Sequence, residues 1–182
     1  MDEFDKIYGT VPPNAKEAGQ FLIVEVDKDN RVRIMPYDVI SDHFFPQLWK
    51  IDEPSNPDSF IYTDDRYRTD LKPYFKSDSK IEVSDITEDS CNITFDQADI
   101  ENRDFETEYV NGYEITLKYK DSGCIAKQVS IWSDYYLYNM PENLSIKIEE
   151  LSAETAYDIS IKANSFWRTV SDNALTFTFK TK

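Results

Sequence analysis

The side chains that could do covalent or acid–base chemistry are few in this sequence. It contains one histidine, His43, followed directly by Phe44 and Phe45. A serine or cysteine nucleophile usually draws on a neighbouring base, and a two-metal centre needs several histidines together with aspartates and asparagines. His43 is therefore better explained as a loop or partly buried histidine than as a ligand or general base. With only four glycines, no phosphate-cradling loop can be written either, so we expect no catalytic residue, metal site or cofactor within this chain.

Paired carboxylates are the other residues with chemical potential. Asp27 and Asp29, and also Asp64 and Asp65, could in principle bind calcium or do acid–base work. Asp27 and Asp29 lie in a short polar stretch without the glycine and distal glutamate of a calcium loop. Turn formation is therefore the favoured role of that pair.

Clustered aromatic residues form the strongest candidate for recognition. They are Trp132, Tyr135, Tyr136, Phe166 and Trp167. Exposed aromatic rings can stack on sugars or anchor a protein partner. The alternative, which the sequence favours, is that these rings cover a core and a seam between domains.

Charge excludes several classes of partner. The formal net charge is -15 and the sequence pI is about 4.4. A nucleic-acid backbone or an anionic membrane surface would be repelled, and no stretch approaches the roughly 18 apolar residues that cross a bilayer. We expect neither nucleic-acid binding nor membrane insertion, and we interpret the acidic residues as a solvated surface rather than as calcium ligands.

Neither the cysteines nor the first residues identify the compartment. Two cysteines cannot make a disulfide framework or a zinc site. Cys91 starts a predicted strand and Cys124 lies in a predicted loop, so two free thiols are favoured over one bridge. Met1 is followed by acidic residues rather than by a secretion signal, although a piece of a longer secreted protein would look the same.

The N-terminal third predicts one β-hairpin. Residues 1–19 contain glycine and proline punctuation and should be irregular. Residues 21–26 form an apolar β-branched run, residues 27–30 supply turn chemistry, and Val32, Ile34 and Tyr37 alternate in a second run. Residues 60–75 alternate aromatic and charged residues and suggest an extended strap.

From Lys80 onward the alternation is regular and predicts seven short strands. Their inward positions are Ile81, Val83 and Ile86; Cys91, Ile93 and Phe95; Tyr113, Ile115, Leu117 and Tyr119; Val129 and Ile131; Leu144, Ile146 and Ile148; Tyr157, Ile159, Ile161 and Ala163; and Leu175, Phe177 and Phe179. Seven such strands in about a hundred residues are typical of an immunoglobulin-like sandwich. The predicted fold class is therefore all-β.

This C-terminal half resembles a fibronectin type III domain. Residues 111–115 look like that family's third strand, and Leu151, six residues before Tyr157, looks like its tyrosine corner, in which a tyrosine hydroxyl bonds to corner backbone. The corner lacks its usual proline, and Phe95 stands where the family usually has tryptophan. No Arg-Gly-Asp triplet is present, so adhesion by that motif is not supported.

A second resemblance covers about 35 residues of the N-terminal portion. The predicted hairpin, Asp38, and then Trp49, Ile51 and Asp52 look like the C-terminal tail of calcineurin-like metallophosphoesterases. In that family such a hairpin follows the last metal-binding loop. The resemblance implies that divalent metals belong only to a parent catalytic domain, and that the chain is secreted or held at the cell surface.

These expectations combine into one organisation. Residues 1–58 would be an irregular segment plus hairpin, 59–79 a linker or strap, and 80–182 a fibronectin type III-like sandwich. The preferred function is a non-catalytic accessory region of a larger bacterial phosphoesterase, with that catalytic domain as its partner. The alternative is a stand-alone module that binds carbohydrate or protein through aromatic loops.

Overall fold

The computed structural model describes residues 14–46, 48–59, 71–101, 109–166 and 168–182. Those residues form eleven strands and two short 3-10 turns at Ala15–Glu17 and Pro57–Ser59. The strands are β1 Gln20–Val26, β2 Val32–Asp38, β3 His43–Phe44, β4 Trp49–Ile51, β5 Ile81–Ser84, β6 Cys91–Asp96, β7 Val110–Tyr119, β8 Ile125–Trp132, β9 Asn143–Ile148, β10 Ala156–Ser165 and β11 Leu175–Lys180.

The N-terminal sheet contains four strands rather than the predicted hairpin alone. β1 and β2 pair in antiparallel register from Gln20–Asp38 to Val26–Val32, as the apolar runs predict. β3 and β4 both add to the other side of β2, so that β1 is an outer strand of this sheet. β3 and β4 span only two and three residues, too short for a period-two pattern to reveal them.

The seven C-terminal strands form the predicted sandwich. One sheet has the order β5-β6-β9 and the other has the order β11-β10-β7-β8. In a constant-type immunoglobulin domain the fourth strand joins the first sheet, whereas here the fourth strand, β8, pairs with the third, β7. The three-plus-four arrangement confirms an all-β sandwich of immunoglobulin-like, fibronectin type III character.

The core lies between these two sheets and is built from the predicted inward positions. Buried residues include Cys91, Ile93 and Phe95 of one sheet, facing Ile115, Leu117, Ile159 and Ile161 of the other. Phe95 is 1% exposed and packs edge-on against Tyr113 with ring centroids 4.9 Å apart. Phe177 is the exception among the predicted inward residues, because it is exposed on the outer strand β11.

The corner between β9 and β10 forms without proline. The backbone amide of Ser152 donates a hydrogen bond to the Tyr157 hydroxyl oxygen at 2.9 Å, and Leu151 is buried beside it. The Tyr157 ring packs between Tyr119 and Phe179, each with its ring centroid 5.5 Å away. Leu151 and Tyr157 thus hold the backbone of the corner to the core.

Residues 71–79 lie against the sandwich. Leu71, Pro73 and Phe75 are buried, and Phe75 belongs to the sandwich core although it precedes Lys80. Asn173, in the loop before β11, accepts from the Phe75 amide at 3.1 Å and donates to the Phe75 carbonyl at 2.7 Å. This segment is therefore fastened to the turn between the last two strands.

Both cysteines are free, with Cys91 buried and Cys124 exposed. Burial raises the pKa of the Cys91 thiol from its ordinary value of 9.0 to about 11. Cys91 therefore acts as an apolar core residue at neutral pH. Within the described ranges, no helix has the length and apolarity that a membrane span requires.

Candidate functional site

Three of the predicted binding aromatics come together at the end of β8 and in the loop that follows it. The ring centroids of Tyr135 and Tyr136 lie 5.7 Å apart, and Trp132 lies 6.3 Å from Tyr135 and 6.5 Å from Tyr136. Trp132 is only 6% exposed, so it supports the two tyrosines from below and does not present its face to a ligand. Tyr109 extends the cluster, with its ring 5.6 Å from Tyr135.

The other two predicted aromatics follow β10. Phe166 is exposed, and its backbone amide donates to the Tyr109 carbonyl at 3.2 Å, which places it beside the cluster. Trp167 lies outside the described residues, as do Asp64 and Asp65.

The tyrosines form one wall of a groove between the sandwich and the N-terminal sheet. The groove has a volume of about 270 Å³. Its sandwich wall is Tyr109, Tyr135 and Tyr136, and its opposite wall is Gln20, Phe21, Leu22, Pro36, Phe45 and Trp49. Concave sites with largely apolar and aromatic linings are typical of ligand pockets.

Asp134 connects the two walls. It is buried, and its backbone takes the left-handed conformation with φ of 61°, which aspartate tolerates better than most residues. Its carboxylate accepts hydrogen bonds from the Tyr136 hydroxyl at 2.6 Å and from the Asn14 side-chain amide at 3.0 Å. The Gln20 side chain also donates to the Tyr136 carbonyl. Asp134 therefore orients Tyr136 and ties the start of the described chain to the sandwich.

His43 lies at the same junction. Its ring stacks on Tyr138 with centroids 4.1 Å apart, and Phe45 meets Tyr138 edge-on at 6.1 Å. A His43 ring nitrogen is hydrogen-bonded to the Ser41 carbonyl. These contacts give His43 a packing role between the N-terminal sheet and the loop after β8.

Burial raises the pKa of two groove tyrosines, Tyr109 and Tyr136. It raises the pKa of Tyr109 to about 12, with a smaller contribution from Tyr135. Burial also raises the pKa of Tyr136, and the hydrogen bond to Asp134 adds to this effect. At neutral pH these hydroxyls are therefore hydrogen-bonding groups and not bases.

Three aromatic rings form a row across neighbouring strands of the N-terminal sheet. Phe21, Tyr37 and Phe44 lie on neighbouring strands, with centroid separations of 5.3 Å and 4.9 Å. Phe21 is 47% exposed and Phe44 is 51% exposed. We call these three residues the aromatic row.

Asp27 and Asp29 stabilise the turn between β1 and β2. Asp27 accepts from the backbone amides of Asp29 at 2.8 Å and Arg31 at 3.0 Å, and its other oxygen binds the Arg31 side chain at 2.8 Å. The Arg31 amide bond is the main reason that the pKa of Asp27 is lowered. Across the described residues, no three His, Cys, Asp or Glu side chains are grouped so that they could hold a metal ion.

Sequence reasoning missed Asp134, Tyr109 and the sheet wall of the groove. Gln20 and Leu22 are far from Tyr135 in the chain, and a period-two pattern carries no information on such contacts. For Asp134, the available signal was an aspartate directly before two tyrosines, which is compatible with many turns.

No known protein family matches the sequence, and no curated protein matches it. Solved structures with similar folds include a fibronectin type III domain of human collagen XX, 15% identical, covering 60% of this chain and 90% of that chain, with a TM-score of 0.42. A segment of two fibronectin type III domains from chicken tenascin is 17% identical, covering 86% of this chain and 68% of that chain, with a TM-score of 0.41. The fifth such domain of Drosophila Lar is 14% identical and covers 60% and 94%, with a TM-score of 0.37.

Proposed function

We propose that this chain is a non-catalytic accessory module that packs against a larger enzyme through its N-terminal sheet. The main observation in support is that almost no side chain of this sheet is buried. Among the described residues before 60, only Asp38 is buried, although the strands are rich in Phe, Leu, Ile and Val. A sheet normally buries one apolar face against another layer.

The aromatic row is the surface that such a layer would cover. The rings of Phe21, Tyr37 and Phe44 contact one another across β1, β2 and β3, and the apolar residues Val39 and Ile40, which follow β2, are also exposed. Exposed apolar patches of this kind mark protein interaction sites. Covering the aromatic row would bury an apolar surface of the N-terminal sheet against the enzyme. The sandwich would stay free to position that enzyme.

We assign the larger enzyme to the calcineurin-like metallophosphoesterases. The support is the sequence resemblance of β1, β2 and β4 to that family's C-terminal tail, together with the incomplete burial of the same strands. On this proposal the divalent metals and all turnover belong to the catalytic domain. The secreted or cell-surface location rests on the same resemblance.

The proposal is tested by joining this chain to the polypeptide encoded upstream of Met1. Hydrolysis of bis-p-nitrophenyl phosphate with added Mn²⁺ is measured for the joined protein and for this chain alone. Turnover by the joined protein only is expected. Turnover by this chain alone that disappears in His43→Ala, or an upstream sequence without clustered metal ligands, would overturn the assignment.

Docking of the aromatic row is tested in the same joined protein. Phe44→Asp should lower the melting temperature of the catalytic domain, because it places a charge in the buried contact. Phe177→Asp is the matched control, since Phe177 is also exposed but lies on β11 of the sandwich. Equal effects of the two substitutions would contradict docking through the aromatic row.

The groove supports a second candidate, recognition of a carbohydrate or a protein segment. Tyr135 and Tyr136 offer aromatic faces at a concave site, which is an arrangement suited to stacking on sugar rings. Saturable binding of a polysaccharide or peptide that is lost in Tyr135→Ala and kept in Phe177→Ala would favour this function. A screen without any saturable ligand would remove it.

A further inference from the structure

The outer edge of β1 is an unprotected pairing edge. Within the part of the chain that the structure describes, no strand pairs with β1 on the side away from β2. Natural edge strands are usually blunted by lysine, proline or a bulge. β1 has the sequence QFLIVEV with Glu25 as its one charge, and its register with β2 runs without a shift.

The alternation of hydrogen bonds between β1 and β2 shows which backbone N–H and C=O groups of β1 point to this edge. The Val39 amide donates to the Gly19 carbonyl at 2.9 Å, and the Asp27 amide donates to the Arg31 carbonyl at 3.0 Å. Hydrogen-bonded pairs alternate along an antiparallel ladder, so the odd-numbered residues of β1 bond to β2. The backbone N–H and C=O groups of the even-numbered residues therefore point outward, and these residues are Gln20, Leu22, Val24 and Val26.

This outward pattern is complementary to itself. If β1 of a second copy pairs antiparallel about Ile23, Leu22 comes opposite Val24 of the second copy, and Gln20 comes opposite its Val26. By symmetry each of these two pairings occurs twice, so four residue pairs bring their outward-pointing backbone N–H and C=O groups together. With two hydrogen bonds in each pair, the contact forms roughly eight hydrogen bonds in all. Leu22, Val24 and Val26, which are 57%, 57% and 63% exposed, would share one face of the joined sheet.

The charges permit this pairing despite the acidity of the chain. In the register about Ile23, Glu25 comes opposite Phe21 of the second copy and not opposite another carboxylate. The two Glu25 residues are then four positions apart along the ladder, about 13 Å, which exceeds the screening length of about 8 Å at physiological salt. The one charged residue of β1 therefore adds little repulsion.

The two sandwiches are kept apart in this pairing. Gln20, at one end of β1, donates to the Tyr136 carbonyl of its own sandwich. Because antiparallel pairing places Gln20 opposite Val26 of the second copy, the two sandwiches lie at opposite ends of the paired strands. They therefore do not compete for the same space.

We propose that the chain forms a symmetric homodimer in which β1 pairs with β1 of a second copy about Ile23, joining the two four-stranded sheets into one. The contact is isologous, so it closes and does not propagate into a fibre. The dimer goes beyond the proposed accessory function and uses the edge of β1, whereas that function uses the aromatic row.

The first test is the mass of the full chain by size-exclusion chromatography with multi-angle light scattering. A species of twice 21.3 kDa is expected, which dissociates on dilution. Val24→Lys should shift the chain to the monomer, because it places a lysine on the edge opposite Leu22 of the second copy. Val39→Lys is the matched control at 56% exposure, and it should leave the dimer intact. A 21.3-kDa species at every concentration, or a dimer that persists in Val24→Lys, would overturn the proposal.

The second test determines the register by cross-linking and does not depend on a destabilising variant. In a Cys124→Ser background, Ile23→Cys should form a disulfide-linked dimer, since residues facing each other across a non-hydrogen-bonded pair have Cα atoms about 4.5 Å apart. Leu22→Cys and Val24→Cys should not, because each residue would lie diagonal to its own copy, about 8 Å away. A cross-link at position 22 or 24 with an inert Ile23→Cys, or no cross-link at all, would refute the pairing.

Discussion

Replacing Tyr113 by phenylalanine should destabilise the sandwich through one orphaned amide. The Tyr113 hydroxyl accepts from the Ala98 backbone amide at 2.9 Å and donates to the Gln97 side-chain oxygen at 3.0 Å. Tyr113 is fully buried and Ala98 is buried, so water cannot replace the lost acceptor. Leaving a buried donor unpaired costs about 1 to 3 kcal/mol. Gln97 is half-buried and can turn to solvent, so its lost hydrogen bond adds little. We therefore expect the free energy of unfolding to fall by about 2 kcal/mol in total.

That loss converts into a measurable shift. For a domain of about 100 residues, 2 kcal/mol corresponds to a fall in Tm of about 8 °C. Urea unfolding followed by circular dichroism should show a lower midpoint with an unchanged slope, because the phenyl ring still packs against Phe95 and Phe75 and the folded state keeps its compactness.

Tyr157→Phe is the matched control for this experiment. It also removes one hydroxyl and keeps the ring, but the Ser152 amide that it orphans lies at an exposed corner where water can replace the oxygen. We expect about 1 kcal/mol for this variant. If Tyr113→Phe costs less than Tyr157→Phe, the reasoning that burial of the orphaned amide sets the cost is wrong.

Two further predictions concern pH and the groove. Burial keeps the Cys91 thiol protonated in the folded chain up to about pH 11, while the unfolded chain loses that proton from about its ordinary pKa of 9.0, so stability should fall as pH rises through this window. Cys91→Ala should flatten the stability profile between these pH values in urea titrations, and an unchanged slope would contradict it. Asp134→Gly keeps the left-handed backbone but removes the acceptor of Tyr136 and Asn14, so amide hydrogen exchange should quicken in residues 14–26 and 132–138 and not in β7 or β10. Asp42→Gly, also left-handed at φ of 58°, is the control and should leave exchange in residues 132–138 unchanged.

The sandwich could be predicted because its strands carry apolar residues at period two, and in β6 and β10 the buried residues repeat with the same period. Cys91, Ile93 and Phe95 are all buried, and the intervening Asn92 and Thr94 are half-buried, so the sequence pattern and the burial pattern coincide. The pattern does not say which sheet a strand joins. The pairing of β8 with β7 depends on the short connection at residues 120–124, and that connection does not show in hydrophobic alternation.

Only the tyrosine wall of the groove could be predicted from the sequence. Tyr135 and Tyr136 stand out by composition, but Leu22 and Pro36, on the other wall, are indistinguishable in sequence from ordinary strand residues. Trp132 shows a second limit, because residue type alone cannot separate a ring that contacts a ligand from one that supports its neighbours. Both limits have the same cause, since contacts between distant segments are absent from local patterns.

The absence of a covalent link between the two sheets has a mechanical consequence. The Lys182 amide donates to the Thr87 carbonyl at 2.9 Å, so the last residue lies near the end of β5, and a pull between Ile81 and Lys182 runs along the strands. Under such tension β5 would shear from β6, because only four residue pairs hold it there. Detachment of β5 would uncover Cys91, and in a Cys124→Ser background a thiol-reactive dye would then report stretching of the domain.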